Sequence, residues 1–531
     1  MKNKLVITAL SVLALTVSSQ AFAQSIETGT LGVAQDYDVG VMDFGSGGLD
    51  PALWQGTSAK IAKTLLERAK VKSENPILET MVKTVILSAG VPPEGADDSY
   101  ARARLRAIMA LDNPAALDAV ARRSPELAAD PVVRVDLALA SGEIAEACTM
   151  ADSVTEGRGL PQWARLRAFC HVIRDEIPAA ELTANLLKKS GYDDALFFGL
   201  LNRLTGISKK ELPDDLRADP LYVVMAEHYI SQQENEVETP LTSRSAASLA
   251  KDTEAPKEVR LKAVFKAASR LSDDELEAVM NGLIYDGVEV DALDSASNFD
   301  VEMALEDKSA LGFAQLFALS KRGSVEALVG LLSRAKEAGV MTRFGEAMSN
   351  EMALMPDTDK VQYGLSVFAN LAVKQDDIIA LQGLFGAMEE GYNRSRIAFA
   401  ADAIGNGFRL GNLGKDIQSN LGEEGLEGRR AVRDALLALA LGSTLTDDEA
   451  LSLEGAKVTT GRAVDAGRLA TLRTAAKAGS RAETTLRAAE ILEGTRLKAS
   501  AFAHVVESLM VAQLDDFAGQ IAAQDFLKGL E

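Results

Sequence analysis

The stretch LPQWARLRAFCHVIRDEIPAAELTANLLKKS, residues 160–190, decides how the whole chain reads. Trp163, Leu166, Phe169 and Ile173 recur at the spacing that lines one face of an α-helix. Residues 161–175 read as one helix. The run up to Ser190, closed by Gly191, reads as its antiparallel partner. Such a hairpin cannot bury all of its apolar surface alone, so it needs neighbours of the same kind.

The same grammar runs outward in both directions. Val325, Leu328, Leu331, Leu332 and Ala335 share one helical face, as do Val505, Leu509 and Ala512. Asn75-Pro76, Asp130-Pro131 and Asp219-Pro220 each set a capping side chain before a proline at the first helical position, where the missing N–H costs nothing. Ser272-Asp273-Asp274-Glu275 has the pattern of a capping box. Gly90, Gly142, Gly191, Gly206, Gly282, Gly323, Gly339 and Gly391 each end an apolar-periodic run. The runs predict roughly two dozen helices of about 10–17 residues, with no sustained period-two alternation. The expected fold class is all-α, a helical-hairpin solenoid with an irregular Gly-rich leader.

Residues 160–190 resemble a degenerate tetratricopeptide repeat. Trp163 and Leu166 match that family's opening aromatic and leucine, and Ala179 sits where its small residue lets the second helix approach the first. Arg167, Cys170, Thr183 and Gly191 depart from the pattern, which covers about 30 residues and does not recur at a fixed period. The resemblance implies a helix-hairpin architecture and carries no function. HEAT-like stacking fits equally.

The first residues supply an address. Lys2 and Lys4 precede a short apolar run, and Ala21-Phe22-Ala23 offers small residues where a signal peptidase reads. This pattern predicts a cleavable signal peptide over 1–23, cut after Ala23, and hence a periplasmic protein. An extended leader is expected over 24–50, with a short strand near Val39 and Val41. Helical repeats are expected over 51–231, a linker or long loop over 232–258, and further repeats over 259–410. An Ala/Leu-rich bundle follows over 411–531, whose last two helices, 499–511 and 515–527, form a cap. No Phe, Tyr or Trp falls between Phe408 and Phe502, and small contact residues let helices pack close.

The formal net charge is −21, and loss of the two leader lysines makes the remainder more acidic still. Such a surface repels phosphate backbones, so no nucleic-acid partner is expected. No segment after the leader has the length of apolar residues a membrane helix requires. Cys148 and Cys170 are the only cysteines. In an oxidising compartment, on adjacent antiparallel helices, they are expected to form a disulfide.

Catalytic motifs are missing where their spacing is tested. His171, His228 and His504 have no metal-binding partner one turn on. Asp43-Phe44-Gly45 lacks the loops that give that triplet meaning in kinases, and Gly405, Gly407 and Gly411 follow a helix rather than a strand. Glu507-Ser508, after a long helical array, is similar in layout to the soluble lytic transglycosylases. The chain beyond it is too short for their lysozyme-like domain. Asp286, Glu289, Asp291 and Asp294 cluster, as do Asp36, Asp38 and Asp43, but neither group has the spacing of a calcium loop. The expectation is a non-enzymatic protein-interaction scaffold with no cofactor, no metal, and a protein partner. The alternatives are a peptidoglycan-binding or peptidoglycan-processing accessory factor and a self-assembling structural protein.

Overall fold

The computed structural model describes residues 40–73, 75–111, 113–123, 129–208, 219–232, 243–285, 300–405, 415–421, 423, 425–456 and 461–530. The leader through Val39, the acidic clusters at 36–38 and 286–294, and Gly407 and Gly411 lie outside these residues. So does the polar stretch 233–242, although the segment 232–258 contains the helix Ser243–Lys251. Among the described residues the protein is all-α. It has no strand, only isolated bridges at Met42–Ser88, Ser58–Glu94 and Arg462–Leu497.

The helices start where the sequence places caps. Asn75, Asp130 and Asp219 each accept an amide of the first turn, and each is followed by its proline. Ser272 and Glu275 complete a reciprocal capping box. Thr446 and Glu449 form a second one from the same pattern, which the sequence reading passed over.

Many of the helices end in one recurring turn. A residue in the left-handed region follows the helix, and the next amide bonds back five residues. At Gly142 that bond runs from Glu143 N to Ala138 O, 2.7 Å; at Gly339, from Val340 N to Ala335 O, 2.8 Å. Three hairpins use the same bond with a non-glycine residue: Asp175 (φ 60°), Asp376 (φ 57°) and Gln513 (φ 58°). Their closing bonds are Glu176 N to His171 O, Asp377 N to Ala372 O and Leu514 N to Leu509 O. One turn geometry thus recurs here, satisfied by several sequences.

Three glycines play other parts. Gly90 lies three residues beyond the helix Pro76–Leu87 and outside the left-handed region, and an added Cβ there would meet Pro51 O at 2.5 Å. Gly282 lies inside the helix Asp273–Ile284, where an added Cβ would come within 3.0 Å of the Arg260 guanidinium. Gly391 opens the helix Tyr392–Ile404 instead of closing its predecessor, which ends at Ala387.

Helices Pro161–Ile173 and Ile177–Lys189 form the hairpin read from the sequence. Ala164, Ala168, Ala180 and Ala184 are its buried alanines, while Ala179 is half-buried. The core forms three apolar clusters. One spans 135–226. A second takes in 246–530 together with Ile77, Leu78 and Met81. The third joins Leu53, Trp54 and Leu65 to Ala482, Leu486 and Ala489. The earliest described helices therefore share their cores with the last ones. In the closing pair, Ala499–Val511 and Asp515–Phe526, the second helix packs on Tyr392–Ile404 and buries Phe526 completely. No helix among the described residues is long and apolar enough to cross a membrane.

Candidate functional site

The seam between the two chain ends is built from complementary bonds. Leu53 O accepts from Ala482 N at 2.9 Å. The buried Thr57 hydroxyl meets Ser480 Oγ at 2.5 Å and Glu483 Oε2 at 2.8 Å. Asn75 and Gln524 exchange amide bonds of 2.7 and 3.2 Å. Between the helices Ala59–Arg68, Pro76–Leu87 and Arg481–Leu492 the seam opens into a cavity of about 340 Å³. Leu65, Leu78, Val82 and Leu486 make its apolar floor; Arg68, Lys70, Arg462 and Arg468 face Glu490 and Glu493 around it. Glu490 is shared by Arg68 at 3.1 Å and Arg468 at 3.4 Å. Lys70 lies 3.7 Å from Glu493, which also accepts the Ser73 hydroxyl at 2.9 Å. Arg462 Nη2 donates to the carbonyls of Ile491 and Glu493, at 2.6 and 3.2 Å.

A second polar constellation centres on Arg165, on the helix Pro161–Ile173. Arg165 pairs with Asp219 at 3.0 Å, donates to the Tyr222 hydroxyl, and lies over the rings of Tyr222 and Tyr192. Tyr222 donates to Asp194 at 2.7 Å and Tyr192 does so at 3.2 Å. Asp194 and Asp219 each use one oxygen to cap a helix, Ala195–Leu204 and Pro220–Ser231, and the other in this cluster. The cap read in the sequence at Asp219, and the one at Asp194 that was not, are thus each half of a tertiary network. Burial, followed by the charge of Asp219, pushes the nearby Asp136 carboxyl up to about 7, against the pull of Arg106 and Arg165. Burial also raises the Tyr222 hydroxyl above its ordinary range. The cluster thus sets an acid that titrates near neutrality beside a fixed cation.

The residues singled out in the sequence are scattered. Cys148 and Cys170 lie at disulfide distance, with Cα atoms 5.6 Å apart, on Ile144–Ser153 and Pro161–Ile173. His171 meets Glu176 across its turn at 2.6 Å. His228 contacts Gln232 at 3.0 Å and the edge of Phe169, and burial lowers its pKa. His504 lies 4.0 Å from Glu507. Glu507 faces solvent, whereas Ser508 is buried and donates to His504 O at 2.8 Å, so the pair does not converge. Asp43 binds Arg123 at 3.0 Å, which holds its carboxyl below the usual range. Among the described residues no three His, Cys, Asp or Glu side chains are placed to hold a metal.

The seam cations escaped sequence reading. Arg68 and its partner Glu490 are 422 positions apart, and no local pattern marks either. Compared with protein-family models, curated proteins and solved structures, the chain matches none of them.

Proposed function

We propose that this protein is an exported, periplasmic helical-hairpin solenoid, joined at its ends, that acts as a non-enzymatic protein-interaction scaffold. The signal-like leader supports the compartment. The recurring hairpin turn supports a serial array, whose successive outer faces offer long surfaces to partners.

One observation carries the reading. On Ile177–Lys189, Leu182 and Leu186 lie one turn apart and stay 61% and 59% exposed. An apolar ridge at helical spacing, on a hairpin anchored by its neighbours, is the geometry used for docking against another helix or groove.

The test is affinity capture from periplasmic extract at several salt concentrations, with the wild-type chain and with Leu182→Glu/Leu186→Glu. The reading expects one stoichiometric partner that the wild type keeps and the double variant loses. Capture of nothing stoichiometric, or equal capture by both chains, overturns it. Recovery of the chain in cytoplasmic rather than periplasmic fractions overturns the compartment.

A further inference from the structure

We propose that the seam cavity is a binding site for a small amphipathic organic anion, an aliphatic carboxylate being the class that fits. The proposal does not depend on any protein partner.

The shape comes first. A cavity of about 340 Å³ lies within the range that accepts small organic molecules. Its floor, Leu65, Leu78, Val82 and Leu486, is aliphatic and suits an alkyl chain.

The charge comes second. Four cations and two carboxylates line the cavity, a local positive excess in a chain whose net charge is −21. The pairing inside it leaves that excess in place. Arg68 and Arg468 share the single carboxylate of Glu490. Arg462 spends Nη2 on main-chain carbonyls, which does not cancel its charge. Arg68 and Arg468 side chains are 55% and 42% exposed, so an incoming carboxylate reaches them without breaking the core. A head group held by the two guanidiniums leaves the tail over the leucine and valine floor. Because the lining comes from residues 65–82 and 462–493, a bound anion also bridges the helices Ala59–Arg68 and Pro76–Leu87 to Ala466–Lys477 and Arg481–Leu492 and stabilises their contact.

Isothermal titration of the full chain with decanoate tests this. The expected result is saturable one-to-one binding with a Kd on the order of 0.1 mM. Arg68→Ala/Arg468→Ala should weaken it by about tenfold or more, as loss of a charge-assisted contact requires. Glu490→Gln should tighten it several-fold, because it releases both guanidiniums. A merely structural role for Glu490 moves affinity the other way. Decyltrimethylammonium, with the same tail and the opposite charge, should not bind, and acetate should bind far more weakly than decanoate. Absence of saturable binding overturns the proposal, as does equal affinity for the cationic amphiphile or for acetate. If the double arginine variant fails to fold, Glu490→Gln decides: unchanged or weakened binding overturns it.

Discussion

Among their described residues, 131–231 and 392–528 are both helical, yet different forces hold them. The first block packs aromatic and aliphatic side chains, Trp163, Phe169, Phe197 and Tyr222 among them, and places Cys148 against Cys170. The second is poor in aromatics and is tied by buried charges. Arg396 pairs with Asp434 at 3.1 Å with both side chains essentially inaccessible, and Tyr392 donates to the same carboxylate at 2.7 Å. Arg433 grips Asp525 with two guanidinium nitrogens, donates to Leu497 O at 2.7 Å, and lies over the Phe502 ring. Lys528 and Arg496 approach Asp525 at 3.2 and 3.7 Å. Where side chains are too small to fix the relative rotation of helices, directional ion pairs do so. Oppositely charged partners accept one geometry, whereas alanine faces slide.

The contrast is broken most severely at Asp525. Burial opposes its charge, but the Arg433 hydrogen bonds and the surrounding cations hold its pKa below the usual value. Asp525→Ala strands the Arg433 guanidinium in the core and should cost about 3–5 kcal/mol in urea unfolding. Arg433→Leu/Asp525→Leu removes both charges and should recover most of that loss. A double variant as unstable as the single one would mean that the pair is not what fixes these helices.

In the first block the corresponding break is covalent. Thiol titration of the unfolded, unreduced chain should find no free thiol. Cys148→Ser/Cys170→Ser opens a bridge of sequence separation 22 and should cost about 3 kcal/mol on the chain-entropy model. Two free thiols per chain would end this assignment, and the first block would then rest on packing alone.

The close approach of small residues in the second block is tested at Gly519. An added Cβ there would meet Ala403 O at 2.1 Å, across the contact of Asp515–Phe526 with Tyr392–Ile404. The obstacle is main chain, which cannot rotate aside, so the helices must separate. Gly519→Ala should destabilise by about 1–3 kcal/mol. A neutral result would show that this contact gives way easily.

What was legible in the sequence is what depends on neighbours a few positions away. The caps at Asn75, Asp130, Asp219 and Ser272 and the turn at Gly142 involve partners two to five residues distant, and all stand as read. Gly282 was misread because a glycine that leaves room for a guanidinium inside a helix looks, in one dimension, like a glycine that ends one. The seam and the buried ion pairs were invisible for a different reason. Arg433 and Asp525 are 92 positions apart, and each alone resembles an ordinary surface charge on an amphipathic helix. The Arg165 cluster falls between these cases. Asp219 was found as a cap, but its second oxygen, which binds Arg165, was not, and Asp194 was not read as a cap at all.

The smallest expected effect sharpens the comparison by pH. Burial and Asp219 raise Asp136 to about 7 from an ordinary 3.8, while Arg106 and Arg165 resist and Asp130 adds to the rise. Between those two values the folded chain holds a proton that the unfolded chain has released. Stability from this group is therefore full below pH 4 and falls as pH climbs towards 7. Asp136 is only part-buried, and solvent screening trims the loss to about 1 kcal/mol. Asp136→Asn has no such proton, so it should gain on the wild type between pH 5 and pH 8 in urea unfolding. Asp434, which burial pushes up to about 6 against the pull of Arg396, titrates in the same window. It is present in both proteins and cancels from their difference. A gap between the two that stays constant from pH 5 to pH 8 would show that Asp136 is as well solvated as an ordinary surface carboxylate. The Arg165 cluster would then be a set of helix caps with no acid poised beside it.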